Sequence, residues 1–162
     1  MLDIELLLCN SFINKLYQMK KIVLFVLIIP FFSYSQNWKS SFEEAKNQAL
    51  AENKNIVLVF SGSDWCAPCI KLDKTVWQSA EFKKESENNW IIYRADFPKK
   101  KANQLNSDLT ESNKKLAAQY NSSGYFPLVL LLDKSGTVLG VEGYKNISAA
   151  EYIQLIHSFE KK

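Results

Sequence analysis

"SDWCAPCI", residues 63 to 70, sets Cys66 and Cys69 three positions apart behind Trp65. Two cysteines at this spacing suit a redox couple, half of a metal site or a small structural staple. The flanking residues narrow where they sit. Upstream, "NIVLVFSGS" from Asn55 carries an unbroken apolar run, Ile56 to Phe60, of the kind found in strands covered on both faces, and Ser61-Gly62-Ser63 ends it. Downstream, Pro68 fits the first turn of a helix, where its missing N–H removes no bond, and Ile70 and Leu72 are expected to point inward. The cysteines therefore fall at the start of a helix that follows a buried strand.

The rest of the chain limits what such a site can do. With 162 residues, 47% apolar and 13% aromatic, it can bury one core but hardly two, so a single domain is expected. The formal charge of +3, from 20 basic and 17 acidic side chains, leaves no electrostatic footprint for nucleic acid. The segment "MKKIVLFVLIIPFFSYSQ", residues 19 to 36, reads as an export signal: Lys20 and Lys21 lead, Ile22 to Phe32 are mostly apolar, and Ser33-Tyr34-Ser35 supplies small residues before a cut ahead of Gln36. The apolar run falls short of the roughly 20 residues of a membrane-spanning helix, and Pro30 interrupts it. The expected destination is the periplasm, with the domain tethered to the membrane if the signal stays uncleaved. Residues 1–18 are then an upstream extension from a start set too early, 19–35 the signal peptide and 36–162 one domain. Cys9 is no lipid anchor, because bulky Leu8 precedes it where such signals carry a small residue.

That leaves Cys66 and Cys69 as the only cysteines of the domain. A bridge across two residues closes almost no chain, so the staple reading is weak. A closed zinc site needs four ligands, and the sequence offers only His157 besides, off the apolar stripe of the last helix and read as a solvated side chain; no metal is expected.

The domain reads as alternating elements. A helix is expected from about Ser40 to Asn53 on Phe42, Ala45, Ala49 and Leu50, and another begins after Ser79 with Phe82 inward, ending at Asn88 or Asn89. "NWIIYRADF" supplies a second strand; Pro98 to Asn113 reads as an exposed loop in which Lys99 to Lys101 are solvated, and a short helix follows from Thr110 to Tyr120. "NSSGYFPLVLLLDKSGTVLGVEGY" is a β-hairpin turning at Asp133-Lys134-Ser135-Gly136. The last helix, Ser148 to about Glu160, has Ser148 and Glu151 as a capping box and Tyr152, Leu155, Ile156 and Phe159 on one stripe. The order implies an α/β fold: a mixed central four-stranded sheet flanked by helices on both faces.

"FSGSDWCAPCIKL", with "YFP" before a hairpin, resembles the thioredoxin superfamily over residues 39 to 160, and most closely its exported domains with a "GSDWC" approach and a "W/F-x-x-x-x-F" segment, here Trp77 to Phe82. The resemblance implies the thioredoxin fold and a thiol:disulfide oxidoreductase that needs no separate cofactor. Cys66 would attack and Cys69 resolve, Ala67 and Pro68 supporting them. Residues i and i+3 at a helix start lie about 5–6 Å apart, within reach of a disulfide. Helix N–H groups and dipole favour an anion at Cys66. Lowering its pKa from about 8.5 to about 7, the figure the resemblance implies, multiplies the thiolate roughly 15-fold while nucleophilicity falls some 5-fold. The larger advantage is Cys69, held alongside to resolve the mixed disulfide.

The resemblance also implies a cis bond between Phe126 and Pro127 facing the cysteines, with Phe126 backbone groups pairing an extended substrate and Trp65 lining its surface. One position departs from the pattern: the buried acid often found six residues before the first cysteine is Phe60, and Asp64, Arg94 and Asp96 receive no role. The lack of a histidine beside Cys69, where strongly oxidising relatives carry one, favours a reductase. Its implied partners are protein substrates with disulfides or thiols and an unidentified membrane or periplasmic electron donor, and a monomer is expected. The alternative is a redox-inactive or weakly active module that keeps the fold and only docks partners.

Overall fold

Strand β1, Asn55–Ser61, is buried on both faces because two helical layers share it. The computed structural model describes residues 37–161; the segments read as an upstream extension and an export signal lie outside the described residues. Side chains alternate along a strand, so Val57 and Val59 enter one cluster while Ile56, Leu58 and Phe60 enter the other.

In chain order the elements are α1 (Phe42–Glu52), β1, α2 (Ala67–Leu72), a π-helical turn (Asp73–Trp77), α3 (Ala80–Asn89), β2 (Trp90–Asp96), a 3-10 turn (Lys101–Asn103), α4 (Ser107–Tyr120), β3 (Leu128–Leu132), β4 (Val138–Glu142) and α5 (Ala149–Phe159). The sheet runs β2-β1-β3-β4, with β1 and β2 parallel and the other two pairs antiparallel. This is the mixed four-stranded α/β sheet that the sequence implied. One face packs against α2, the π turn, α3 and α5, and the other against α1 and α4.

Local signals account for most boundaries. Ser41, Ser79, Asn106 and Ser148 each cap a helix by accepting a backbone N–H, and Ser148 with Glu151 completes the capping box. Gly140 faces α5 so closely that a Cβ there would lie 2.0 Å from the Phe159 ring.

Three expectations are corrected. Leu50 is 55% exposed; Phe42, Ala45 and Ala49 lie on one line, and the next residue is turned about 100° away from it. The polar stretch after Pro98 is not one loop to Asn113, for α4 starts at Ser107, capped by Asn106, whose side chain accepts from Leu109 N at 2.8 Å. Its overall polarity concealed a cap and an acidic first turn at Asp108. Asn113 is 1% exposed and ties α4 to β2, accepting from the Tyr93 hydroxyl at 2.6 Å and donating to Asp96 O at 3.0 Å. Burial pushes the Tyr93 pKa up to about 12, which keeps that hydroxyl a donor. His157 is the third correction. It sits between Glu160 and Glu85, 2.8 Å from each, with its ring on Trp90.

Candidate active site

Cys66 is the N-cap of α2, placed there by the end of β1. Cys66 N donates to Gly62 O at 2.9 Å, which folds the approach into a tight turn. Gly62 is required: a Cβ there would lie 2.3 Å from the Trp65 indole. Pro68 stands in the first turn of α2, and Cys69 N donates to Cys66 Sγ at 3.3 Å. The two sulfurs are joined, with Cα atoms 5.2 Å apart. Both residues are buried in this state, Cys66 at 5% and Cys69 at 3% exposure, beneath exposed Trp65, Ala67 and Pro68. The Cys69 N–H at the helix start already points at Cys66 Sγ, a contact that favours negative charge on that sulfur once the bond opens.

Behind the pair is a cavity of about 80 Å3 lined by Cys69, Ser61, Ser63, Asp73 and Arg94 among others. Strand alternation brings Arg94 to this face with Ile92. Asp73 arrives from the helix itself, one turn beyond Cys69, and accepts from Arg94 at 3.1 Å. At Asp73 the helix widens: Gln78 N donates to Asp73 O at 2.9 Å, five residues back. Asp96 accepts from Ser63 N at 2.9 Å and from the Ser63 hydroxyl, so it braces the turn. Phe60, where an acid often stands, is fully buried on the opposite face and stacks on Phe97.

Trp65 is 40% exposed and fixed at its edges. Its Nε1 donates to Phe97 O at 2.7 Å, and its ring meets Phe126 edge-on at 5.5 Å. The Phe126–Pro127 peptide is cis, with Phe126 half-buried and Pro127 buried. The segment before it is held by buried Asn121, which accepts from Tyr125 N at 2.9 Å and donates to Tyr125 O at 2.8 Å. The structure thus brings Trp65, Cys66, Cys69 and Phe126 to one end of the sheet. Among the described residues, no group of three or more His, Cys, Asp or Glu side chains could hold a metal ion.

Sequence reasoning missed Asp73 and Asn121. Asp73 carried a signal, since position i+4 from Cys69 lies on the same helix face. Asn121 carried none, because its partners belong to an irregular loop.

Residues 37–134 match the family model described as Thioredoxin-like. The chain is 33% identical over 129 residues to the disulfide bond reductase DsbH of Chlamydia pneumoniae, covering 80% of this chain and 75% of that protein. It is 23% identical over 109 residues to the thioredoxin-related protein DsbJ of the same organism, covering 67% of this chain but 31% of that one. Among solved structures, a DsbH oxidoreductase superposes with a TM-score of 0.73 at 32% identity, covering 82% of this chain and 89% of that one. A thioredoxin from Thermus thermophilus gives a TM-score of 0.57 at 14% identity, covering 76% of this chain and 87% of that one, a likeness of fold alone.

Proposed function

As a chain that belongs to the thioredoxin-like family and carries a closed Cys66–Cys69 pair, the protein is a thiol:disulfide oxidoreductase, and we propose that it acts as a reductase of protein disulfides. The observation that carries this reading is the pair itself, joined at a helix start beneath an exposed tryptophan.

The cycle starts from the dithiol. The Cys66 thiolate attacks one sulfur of a client disulfide, forming a mixed disulfide and releasing the first client thiolate. Cys69 then loses its proton and attacks Cys66 Sγ, releasing the second client thiolate and closing the bond; two electrons pass to the client. Because Cys69 is buried, its proton leaves through the cavity that Asp73 and Arg94 line, where Asp73 offers a carboxylate that Phe60 does not. Trp65 and Phe126 form the client-facing surface, with the Phe126 backbone available to an extended segment. Ala67 and Pro68 keep the sulfurs at a helix start.

The reductive direction is supported by Ala67 and Pro68 between the cysteines, with no histidine beside Cys69, and by the name of the relative, a disulfide bond reductase. Export rests on the leader-like segment 19–35, and from it follow a periplasmic site of action and an electron donor there or in the membrane. Among the described residues no helix is long and apolar enough to cross a membrane. No observation favours the docking-module alternative over redox activity.

The test is insulin reduction in defined thiol–disulfide buffers. Cys66→Ser should cut turnover by at least about 1000-fold, roughly 4 kcal/mol of barrier, while Cys69→Ser should accumulate client on Cys66, visible by mass spectrometry. A Cys69→Ser protein that never carries client would overturn the division of roles, and wild-type protein with an inert pair would overturn the function.

A further inference from the structure

We propose that the loop from Phe97 to Asn106 forms a basic rim of the active site, latched by Asp64, that favours client disulfides flanked by acidic residues. The inference rests on the oxidoreductase reading and adds a substrate class to it.

The Lys99 to Lys101 side chains are exposed, as the sequence polarity suggested, but the structure fastens the Lys99 and Lys100 backbone to the redox turn. The Asp64 carboxylate, two residues before Cys66, accepts from Lys99 N at 2.9 Å, Lys100 N at 2.9 Å and Asn103 Nδ2 at 3.0 Å. Those donors, led by the Lys99 N–H, hold its pKa below the usual carboxylate range. From the other side Trp65 Nε1 grips Phe97 O, and Lys99 Nζ lies 4.0 Å from the Trp65 ring centre. The loop is thus tied twice to the residues that precede Cys66.

The charge this leaves outward is positive. Lys99, Lys100 and Lys101 are exposed, as are Lys71 and Lys74 on the helical segment that follows Cys69. Among the described residues none of these five lysines forms a salt bridge. Three carboxylates around the redox turn already have partners: Asp73 with Arg94, Asp96 with Ser63, Asp64 with the loop itself. A client joined to Cys66 would lay its flanking residues along this rim. Carboxylates there gain attraction that speeds encounter and fixes register, and that salt weakens.

The experiment measures single-turnover reduction by the full chain in its dithiol state, using three disulfide peptides identical except for Asp, Ser or Lys beside the cysteines. At about 10 mM salt the Asp peptide should react roughly tenfold faster than the Ser peptide and the Lys peptide slowest. The spread should shrink at about 150 mM, where the Debye length falls to about 8 Å. The triple variant Lys99→Gln, Lys100→Gln, Lys101→Gln should bring the Asp/Ser ratio within about twofold of unity. Asp64→Asn is the sharper probe. It removes a negative charge, so bulk electrostatics alone would raise the preference for acidic peptide, whereas loss of the latch lowers it. Equal rates for the three peptides, or a ratio that the lysine variant leaves intact, would overturn the rim; a ratio that rises in Asp64→Asn would overturn the latch. If no peptide is reduced at all, the oxidoreductase reading fails instead.

Discussion

Trp65 and Trp90 are held by the same three kinds of contact. Each indole Nε1 donates to an oxygen, Phe97 O at 2.7 Å for Trp65 and Glu160 Oε1 at 2.8 Å for Trp90. Each ring carries a basic side chain, Lys99 Nζ 4.0 Å from the centre of one and the His157 ring 4.6 Å from the other. Each meets a phenylalanine, Phe126 or Phe82. Depth separates them: Trp90 is 2% exposed and Trp65 is 40% exposed. Buried, the arrangement ties α5 to β2 and has nothing left to offer a partner. Half-open, it fixes a loop to the redox turn and leaves part of the indole exposed. The same kinds of contact thus become structure at one end of the sheet and surface at the other.

The contrast can be broken most forcefully at Trp90. Trp90→Ala should lower stability by about 3–5 kcal/mol, seen in calorimetry as a fall in Tm of more than roughly 10 °C, with the reduction rate of the folded fraction unchanged. Trp90→Phe keeps a ring but loses the bond to Glu160, and should lose about 1–2 kcal/mol. Trp65→Ala should do the opposite, costing about 1 kcal/mol of stability in urea melts and roughly tenfold in kcat/KM toward a protein disulfide. If the two alanine variants melted alike and reduced client alike, exposure would not be the deciding variable.

A second tier sharpens the site itself. Asp73→Asn removes the carboxylate from the Cys69 cavity and should slow decay of the mixed disulfide roughly tenfold at pH 7, with the profile of that step moving to higher pH. A variant that resolves with the wild-type profile would send the proton elsewhere. The smallest effect is at His157. Burial works against its charge, but hydrogen bonds with Glu160 and Glu85, and their negative charges, outweigh burial and raise its pKa above the ordinary 6.5. A raised value stabilises the fold fully below about pH 6.5, and that contribution is lost as pH climbs through the folded-state pKa. The stability gap between wild type and His157→Gln should therefore narrow between pH 6 and pH 9, by less than about 1 kcal/mol for a partly exposed pair. A gap that widens with pH would mean the histidine is held neutral.

What could be read in the sequence was local. The strand from Ile56 to Phe60, the serine caps at Ser79 and Ser148, and the cysteines at a helix start each depend on residues within a turn or two of one another, so their pattern is visible along the chain. The resemblance carried by the "WCAPC" stretch and "YFP" then implied the thioredoxin fold, which the structure has, and named the residues proposed for the site. What only the tertiary structure decided joins residues far apart: Arg94 to Asp73 across 21 positions, Asp64 to Lys99 across 35, His157 to Glu85 across 72. Each of these side chains is an ordinary polar residue in its own neighbourhood, and no periodicity marks its partner. Only the packing of β2 and its loop beside the redox turn, and of α5 against α3, turned three polar stretches into a lined cavity, a latched rim and a partly exposed clamp.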